Sequence, residues 1–142
     1  MIKKELDRTL APTPFASAVY LAAETPLITG GEDQKSRYLP ELAGVKAIGC
    51  FAMAEGVGIP SPATMTTTFQ DGKLSGVKSL ILDGVIANFA IVVARMAETG
   101  DESLSLVLVD LTADGFRREM VSTVDPTRSH AEITFDGAAG RL

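Results

Sequence analysis

The sequence predicts an α+β fold, in which short N-terminal helices precede an antiparallel β-barrel or sandwich of about six to eight strands. The first part of the chain places apolar residues at helical spacing, and proline and glycine mark the expected helix ends. After Gly44 the pattern changes to runs of β-branched and apolar residues, separated at short intervals by Gly, Asp and Pro. This rhythm is typical of an antiparallel sandwich or barrel.

The first predicted helix follows a segment, residues 1–12, that has no strong pattern and is expected to form a loose entry. Thr13 and Pro14 suit the N-cap and the first position of a helix. Pro26 either limits this helix to about Glu24 or begins a second short turn. The residues that share one face of the helix are Phe15, Ala18, Val19, Ala22 and Ala23.

A second helix is predicted from Glu32 to Leu39, after Gly30 and Gly31 have ended the preceding element. Two acidic residues at its start favour the positive end of the helix dipole. Pro40 and Gly44 are expected to close it. The side chains expected to turn inward are Tyr38, Leu39 and Leu42.

The strands are predicted from the apolar runs that follow. Asp71 and Gly72 fit a two-residue type I′ turn and give the strongest hairpin signal. A polar loop over Ala97–Ser103 suits another hairpin. The predicted strands are Ala47–Ala54, Thr64–Gln70, Lys73–Leu80, Asn88–Arg95, Leu104–Leu111, Arg117–Ser122 and Ala131–Phe135.

Composition excludes several classes of protein. The chain has 142 residues, which suits one domain or a small domain with an appendage. Its net charge of −5 is spread along the chain, so no basic face for nucleic acid is expected. The longest apolar run is too short to span a bilayer, and no signal peptide precedes it. A single cysteine, Cys50, permits no internal disulfide, and we expect a cytoplasmic protein.

Three motifs resemble the acyl-CoA dehydrogenase family. GGEDQKSRYLPELAG at 30–44 is similar to that family's helix Gly-x-Glu-Glu-Gln-Lys-x-x-Tyr-Leu-Pro-x-Leu-Ala-x-Gly. CFAMAEGVG at 50–58 is similar to its strand and loop ending in Thr-Glu-Pro-Gly-x-Gly-Ser-Asp. LSGVKSLILDGVIANFAIVVARM at 74–96 is similar to its Leu-x-Gly-x-Lys-x-Trp-Ile-Thr-Asn-Gly-x-x-Ala-Asp segment. Weaker matches continue to Phe135, and the Asp-Pro-Thr-Arg form at 125–128 resembles a divergent bacterial branch that degrades steroids and lipids.

The resemblance implies an organisation and a ligand set. Residues 1–44 would end an N-terminal helical domain, and 45–142 would form the middle β-domain. The family binds FAD and acyl-CoA there. The substrate tail would meet Pro60, or Ser61 if the loop shifts by one residue. The positions that would wall the flavin are Phe51, Met53, Ala54, Leu80, Ile81 and Leu82.

Three of these positions depart from the family pattern. Ala54 stands where the family has threonine, Leu80 where it has tryptophan, and Leu82 where it has threonine or serine. Each change removes a polar or aromatic contact to the flavin. We therefore expect flavin binding to be weakened or abolished, with these strands serving as core or interface strands.

Other chemical groups give weak signals. Cys50 is expected to be a buried small hydrophobic residue and His130 a solvated side chain at a strand edge. Glu55 lies in the motif region but has no second carboxylate to pair with as acid and base. No metal-ligand spacing is present.

Two functions follow from the resemblance. The first is a fragment or truncated form of an acyl-CoA dehydrogenase-like flavoprotein of lipid metabolism, which would carry out α,β-dehydrogenation in its parent. The family's catalytic glutamate belongs to a C-terminal bundle, so no catalytic residue is assigned here and the chain alone is expected to be inactive. The alternative is a flavin-deficient structural or assembly subunit. Either would form a homo-oligomer, or a hetero-oligomer with another acyl-CoA dehydrogenase subunit.

Overall fold

The computed structural model describes residues 4, 5, 8, 13–96, 103–125 and 127–142. Most of the predicted entry segment 1–12 and of the predicted loop 97–103, together with Pro126, lies outside these residues. The elements, in chain order, are the helices α1 (Ala16–Ala23), α2 (Glu24–Thr29) and α3 (Glu32–Ala43), and the strands β1 (Gly49–Ala52), β2 (Thr68–Gln70), β3 (Lys73–Leu82), β4 (Phe89–Met96), β5 (Leu104–Asp110), β6 (Phe116–Val121) and β7 (His130–Arg141).

Helix α1 begins two residues after the predicted first helical position, Pro14, whereas α3 begins at Glu32 as predicted. The carbonyl of Pro14 accepts the backbone N–H of Ala18 and the hydroxyl of Ser17, so Pro14 and not Thr13 initiates α1, which is wound as a π-helix. Pro26 lies in the first turn of the separate helix α2, where it has no intrahelical N–H partner to lose. Both alternatives at Pro26 are observed, since α1 ends at Ala23 and a second short helix follows it.

Helix α3 does not end at Pro40 as predicted. It continues to Ala43, and Gly44 closes it by donating its backbone N–H to the carbonyl of Pro40. Pro40 removes one backbone hydrogen bond, but the residues on either side of it hold the last turn against the sheet. Tyr38 is buried in the cluster between helices and sheet, and Leu42 packs against the same cluster.

The strands form one seven-stranded sheet that closes on itself. The closed ring runs β4-β2-β3-β7-β5 and returns to β4, while β1 extends one edge of β4 and β6 pairs with β7. The predicted α+β class and barrel are confirmed. Most strand pairs are antiparallel, as predicted, whereas β1 and β2 both pair with β4 in parallel. Their connections to β4 are long enough to permit a crossover, which a tight hairpin would not allow.

The β2–β3 hairpin has the turn that the sequence predicts. Asp71 and Gly72 both have positive φ angles, 49° and 74°, as a type I′ turn requires. Gln70 pairs with Lys73 across it. The turn fixes which residues of β3 point into the barrel.

The core has two layers that meet at β4. Ala90, Val92 and Ala94 point into the barrel, whereas Phe89 and Ile91 point towards the helices. A strand buried on both faces has few polar positions, which explains its continuous apolar run. The ring of Tyr38 lies 4.7 Å from that of Phe89 and joins α3 to the sheet.

Gly49 sets how closely α1 approaches the sheet. A methyl group on this residue would lie 2.4 Å from Cβ of Ala22 and 2.5 Å from Cζ of Phe89. We expect Gly49→Ala to lower the free energy of unfolding by about 1–3 kcal/mol through overpacking. Gly31→Ala is the control, since no atom lies within 4 Å of the added methyl group. Equal urea midpoints for the two variants would contradict this packing.

Candidate functional site

The carboxylate of Glu55 ties the segment after β1 to the segment before β2. Its Oε2 accepts the backbone N–H and the hydroxyl of Thr66, both at 2.6 Å. Its Oε1 accepts the backbone N–H of Thr67 at 2.8 Å and the ammonium of Lys78 at 2.8 Å. Glu55 thus closes the loop between residues 55 and 66 and fixes both ends of that loop on β3.

Lys78 is fully buried, which is unusual for lysine. Its ammonium donates to Oε1 of Glu55, to the carbonyl of Met53 at 3.1 Å and to Sδ of Met65 at 2.8 Å. Three acceptors match the three N–H bonds of an ammonium group. The buried cation is therefore satisfied within the protein and holds the loop from below.

Burial and hydrogen bonding act differently on the pKa values of the two partners. Burial alone would raise the pKa of Glu55, but hydrogen bonds from Lys78, Thr66 and Thr67 lower that pKa from 4.5 to about 2. Burial lowers the pKa of Lys78, and Glu55 offsets only part of that effect. The difference arises because Glu55 keeps 13% of its side chain exposed and has three further donors, whereas Lys78 has no exposed surface. The surroundings of the pair therefore favour the charged form of Glu55, whereas burial of Lys78 still disfavours its charged form.

A cavity of about 340 Å³ lies under the anchored loop. Met53, Glu55, Pro60 and Met65 contribute to its lining, together with the glycine-containing stretch 56–59. Within that stretch, Val57 and Ile59 are almost wholly exposed. The loop thus offers an apolar outer surface above a cavity that has a carboxylate on its wall.

The structure brings some of the predicted flavin positions together. The backbone N–H of Ser79 donates to the carbonyl of Ala54 at 2.9 Å, which places Ala54 beside the bulge of β3 that carries Leu80. Leu80 has a φ of +54° and is half exposed, and Met53 is also exposed. Met53, Ala54 and Leu80 therefore lie close to one another on one edge of the barrel.

The other three predicted flavin positions are placed differently. The side chain of Ile81 is buried in the barrel core, and that of Phe51 packs against the cluster under the helices. Leu82 is half-buried and pairs with His130 across the β3–β7 ladder. Because its side chain is buried, Ile81 can offer a ligand at this edge only its backbone.

The two predicted substrate positions lie in the anchored loop. Pro60 lines the cavity. Ser61 is turned into a local turn, where its hydroxyl lies 2.9 Å from that of Thr64 and its backbone N–H donates to the same oxygen. Ser61 therefore has its hydroxyl engaged within its own turn.

The expectation for His130 is wrong. His130 begins β7 and pairs with Leu82 on one side and Val121 on the other, so it lies within the sheet and not at an edge. Its side chain is half-buried, and its Nδ1 has no hydrogen-bond partner among the described residues.

Cys50 is fully buried, as expected, and burial raises the pKa of its thiol to about 12. A thiol with that pKa is not a nucleophile.

Two further polar groups tie loops to the barrel and do not line the cavity. The buried carboxylate of Asp83 accepts the hydroxyls of Ser17 at 2.6 Å and Ser129 at 3.2 Å. The guanidinium of Arg118 donates to the carbonyls of Gly84, Val85, Ala87 and Leu111.

Among the described residues, no group of three or more His, Cys, Asp or Glu could hold a metal ion. No helix in the described part of the chain is long and apolar enough to cross a membrane.

Comparison with known proteins finds similarity to acyl-CoA dehydrogenases. No protein-family model matches the chain. The chain is 29% identical over 119 residues to cyclohexane-1-carbonyl-CoA dehydrogenase of Geobacter metallireducens, covering 80% of this chain and 31% of that protein. It is 34% identical over 94 residues to the mitochondrial long-chain specific acyl-CoA dehydrogenase of Sus scrofa, covering 61% and 22%. The chain is similar in sequence to acyl-CoA dehydrogenases.

Solved acyl-CoA dehydrogenase structures share the fold. The acyl-CoA dehydrogenase of Geobacillus kaustophilus is 25% identical with a TM-score of 0.68, covering 78% of this chain and 31% of that one. Glutaryl-CoA dehydrogenase of Mycobacterium smegmatis in complex with FADH2 has a TM-score of 0.75 at 24% identity, covering 87% and 32%. The chain spans less than a third of the length of each of these relatives.

The side chains present do not fit the flavin that the family resemblance implies. Ala54, Leu80 and Leu82 carry no hydrogen-bond donor, and none is aromatic. Neither Ile81 nor Phe51 adds a polar side-chain group, and both are directed away from this edge. Any hydrogen bonds to a flavin ring here would have to come from the backbone.

Sequence reasoning missed the Glu55–Lys78 pair as the anchor of the site. The signal was present in the period of β3: Leu74, Gly76 and Lys78 alternate onto one face, and Leu74 is a core residue. A lysine at an inward position needs a buried acceptor, and Glu55 is the acidic residue of the adjoining motif. Its partners Thr66 and Thr67 could not be identified, because they depend on how the loop folds back.

We expect the two partners of the anchor to differ in their effect on stability. Glu55→Gln leaves the Lys78 ammonium buried without its carboxylate and should lower the free energy of unfolding by about 3–5 kcal/mol. Lys78→Met should cost less, because Glu55 keeps its bonds to Thr66 and Thr67 and some exposure. Urea unfolding of both variants checks the order. A larger loss in Lys78→Met would contradict the unequal burial of the pair.

Acid should remove the contribution of Glu55 in a defined range. Its pKa is depressed in the folded state, so its stabilising effect is complete above the unfolded value near 4.5 and is lost as the pH falls towards about 2. We expect the difference in unfolding free energy between the native chain and Glu55→Gln to shrink over that interval. A difference that stays constant from neutral pH to pH 2 would show that Glu55 is not ionised in the anchor.

Proposed function

We propose that this chain is the middle β-domain of an acyl-CoA dehydrogenase-like protein, residues 45–142, joined to the end of its N-terminal helical domain, residues 1–44. The observation that carries this proposal is the loop that Glu55 and Lys78 anchor above a cavity of about 340 Å³. The strand ends that bear the family motifs adjoin this loop. In the parent protein, this edge of the barrel would contact an acyl-CoA thioester.

The chain's contribution to such a reaction is binding and positioning. Removal of an α-proton needs a base whose pKa lies near the working pH. Glu55 is the carboxylate on the cavity wall, but four hydrogen bonds hold its pKa at about 2. We therefore assign Glu55 a role in fixing the loop, and we assign no proton transfer to it. The exposed Val57 and Ile59 suit contact with the apolar part of a substrate.

Flavin is the hydride acceptor in the proposed parent family. The apolar side chains at Ala54, Leu80 and Leu82 support a second candidate function. In that reading the chain belongs to a flavin-deficient subunit that assembles with a flavin-bearing partner. One protein of the same fold was solved as the ChsE4-ChsE5 complex from Mycobacterium tuberculosis, with a TM-score of 0.79 at 18% identity. A cytoplasmic location fits either candidate.

Flavin retention separates the two candidates. The chain is incubated with excess FAD and passed through gel filtration, and the visible flavin absorbance of the protein peak is measured. We expect little or no absorbance, because three side-chain contacts are missing and each neutral hydrogen bond contributes about 0.5–1.5 kcal/mol. Stoichiometric retention would refute the flavin-deficient candidate and support the flavoprotein.

A matched pair of triple variants tests the site itself. Ala54→Thr, Leu80→Trp and Leu82→Thr together should raise retention in the full-length product of the gene. The control replaces the same positions with Val, Met and Val, which supply neither a donor nor an aromatic ring. If both triple variants retain equal amounts of FAD, these positions do not face the flavin.

A further inference from the structure

Strand β6 (Phe116–Val121) is an edge strand. It pairs with β7 along its whole length, and its other edge pairs with no strand of the described residues. The strand contains neither proline nor glycine, the residues that usually interrupt an exposed edge. A strand of this kind can accept another strand through backbone hydrogen bonds.

The side chains of β6 divide into a charged face and an apolar face. Arg117 and Glu119 have 75% and 61% of their side chains exposed, and they form an ion pair with each other within the strand, with 3.2 Å between Nη1 and Oε1. An exposed pair of this kind contributes little to stability and can exchange partners. On the other face, Phe116 packs against the barrel core, whereas Met120 is 73% exposed. The core therefore covers one end of the apolar face and leaves the other end uncovered.

Arg118 has its charge already engaged. Its guanidinium donates to the carbonyls of four residues in the loops at Gly84–Ala87 and at Leu111. The guanidinium carbon of Arg118 also lies 5.5 Å from the ring centre of Phe116. Arg118 is thus directed towards its own barrel and away from a strand that adds at the free edge.

We infer that β6 joins two copies of this chain, edge to edge and antiparallel, about a two-fold axis at Arg118. In this register, Arg117 of each copy lies opposite Glu119 of the other, and Phe116 lies opposite Met120. Both faces of the added strand pair are then complementary: two ion pairs form on one face, and two apolar pairs cover Met120 on the other. The interface is isologous, as most dimers of identical chains are.

The neighbouring registers are less favourable. A two-fold axis at Arg117 would place the two copies of Arg117 opposite each other, and an axis at Glu119 would do the same for the two copies of Glu119. Like charges directly opposite on antiparallel strands are destabilising. The axis at Arg118 also places the two Arg118 residues opposite each other, but each guanidinium is bound by carbonyls of its own barrel. Of these three registers, only the one at Arg118 pairs Arg117 with Glu119, and its occupant is a second copy of the same strand.

The dimer should be weak, because a pair of six-residue strands buries far less than the roughly 1,200 Å² of stable interfaces. Its formation does not depend on the proposed function. Sedimentation velocity of the 142-residue chain over a wide concentration range measures it directly. We expect a concentration-dependent dimer.

Charge reversal gives the decisive variants. Arg117→Glu alone and Glu119→Arg alone place like charges opposite each other twice, and each should weaken self-association by about tenfold or more. The double variant R117E/E119R restores opposite charges and should associate as the native chain does. An equimolar mixture of the two single variants is also complementary and should form a mixed dimer.

Two controls separate this pairing from other effects. Lys46→Glu changes the net charge as Arg117→Glu does, but it lies at an exposed position remote from β6 in sequence and should leave association unchanged. Circular dichroism should show that every variant is folded, because both reversed side chains are mostly exposed. A native chain that stays monomeric at all concentrations would overturn the proposal. Single variants that associate as well as the native chain would overturn it too.

Discussion

The buried Lys78 ammonium is the constraint on which the candidate site depends. A charge with no solvent exposure must find acceptors within the protein, and here they come from Met53, Glu55 and Met65. Those three residues belong to the end of β1, the start of the loop and the approach to β2. Satisfying one cation therefore brings three separate parts of the chain onto β3. Glu55 then extends the same network to Thr66 and Thr67.

The barrel explains how this network can be kept while ligand contacts change. Residues that point into the barrel, such as Leu74 and Ile81, are fixed by packing. Ala54 and Leu80 lie on the outer edge, where side chains can change without disturbing that packing. The frame of the family motifs is thus a property of the core and of the Glu55–Lys78 anchor. The side chains that would recognise a flavin are not part of that core or anchor, and in this chain they are apolar.

Local patterns in the sequence were enough to predict the strands and the hairpin turn. The alternation of side chains along β3 and the Asp71-Gly72 pair each depend on neighbouring residues only. What could not be predicted depends on distant pairing. The parallel pairing of β1 and β2 with β4, and the placement of His130 between two strands, are set by the closure of the barrel. Helix α3 continues past Pro40 because packing of Tyr38 and Leu42 outweighs the local preference.

Of the candidate site, the sequence predicted the segments but not the arrangement of their side chains. Period-two reasoning placed neither Ile81 in the core nor Phe51 under the helices, because a bulge in β3 and the helix layer decide those positions. Ser61 likewise could not be assigned, since its turn with Thr64 forms only once the loop is anchored.

Amide hydrogen exchange at Thr66 and Thr67 tests the central claim most directly, because both backbone N–H groups donate to the Glu55 carboxylate. The rates are measured by NMR in the native chain and in Glu55→Gln, with Val92 and Val107 in the barrel core as internal references. The account predicts slow exchange at both threonines in the native chain and exchange at least about tenfold faster in the variant, relative to the references. Threonine amides that exchange equally fast in both proteins would show that Glu55 does not anchor the loop.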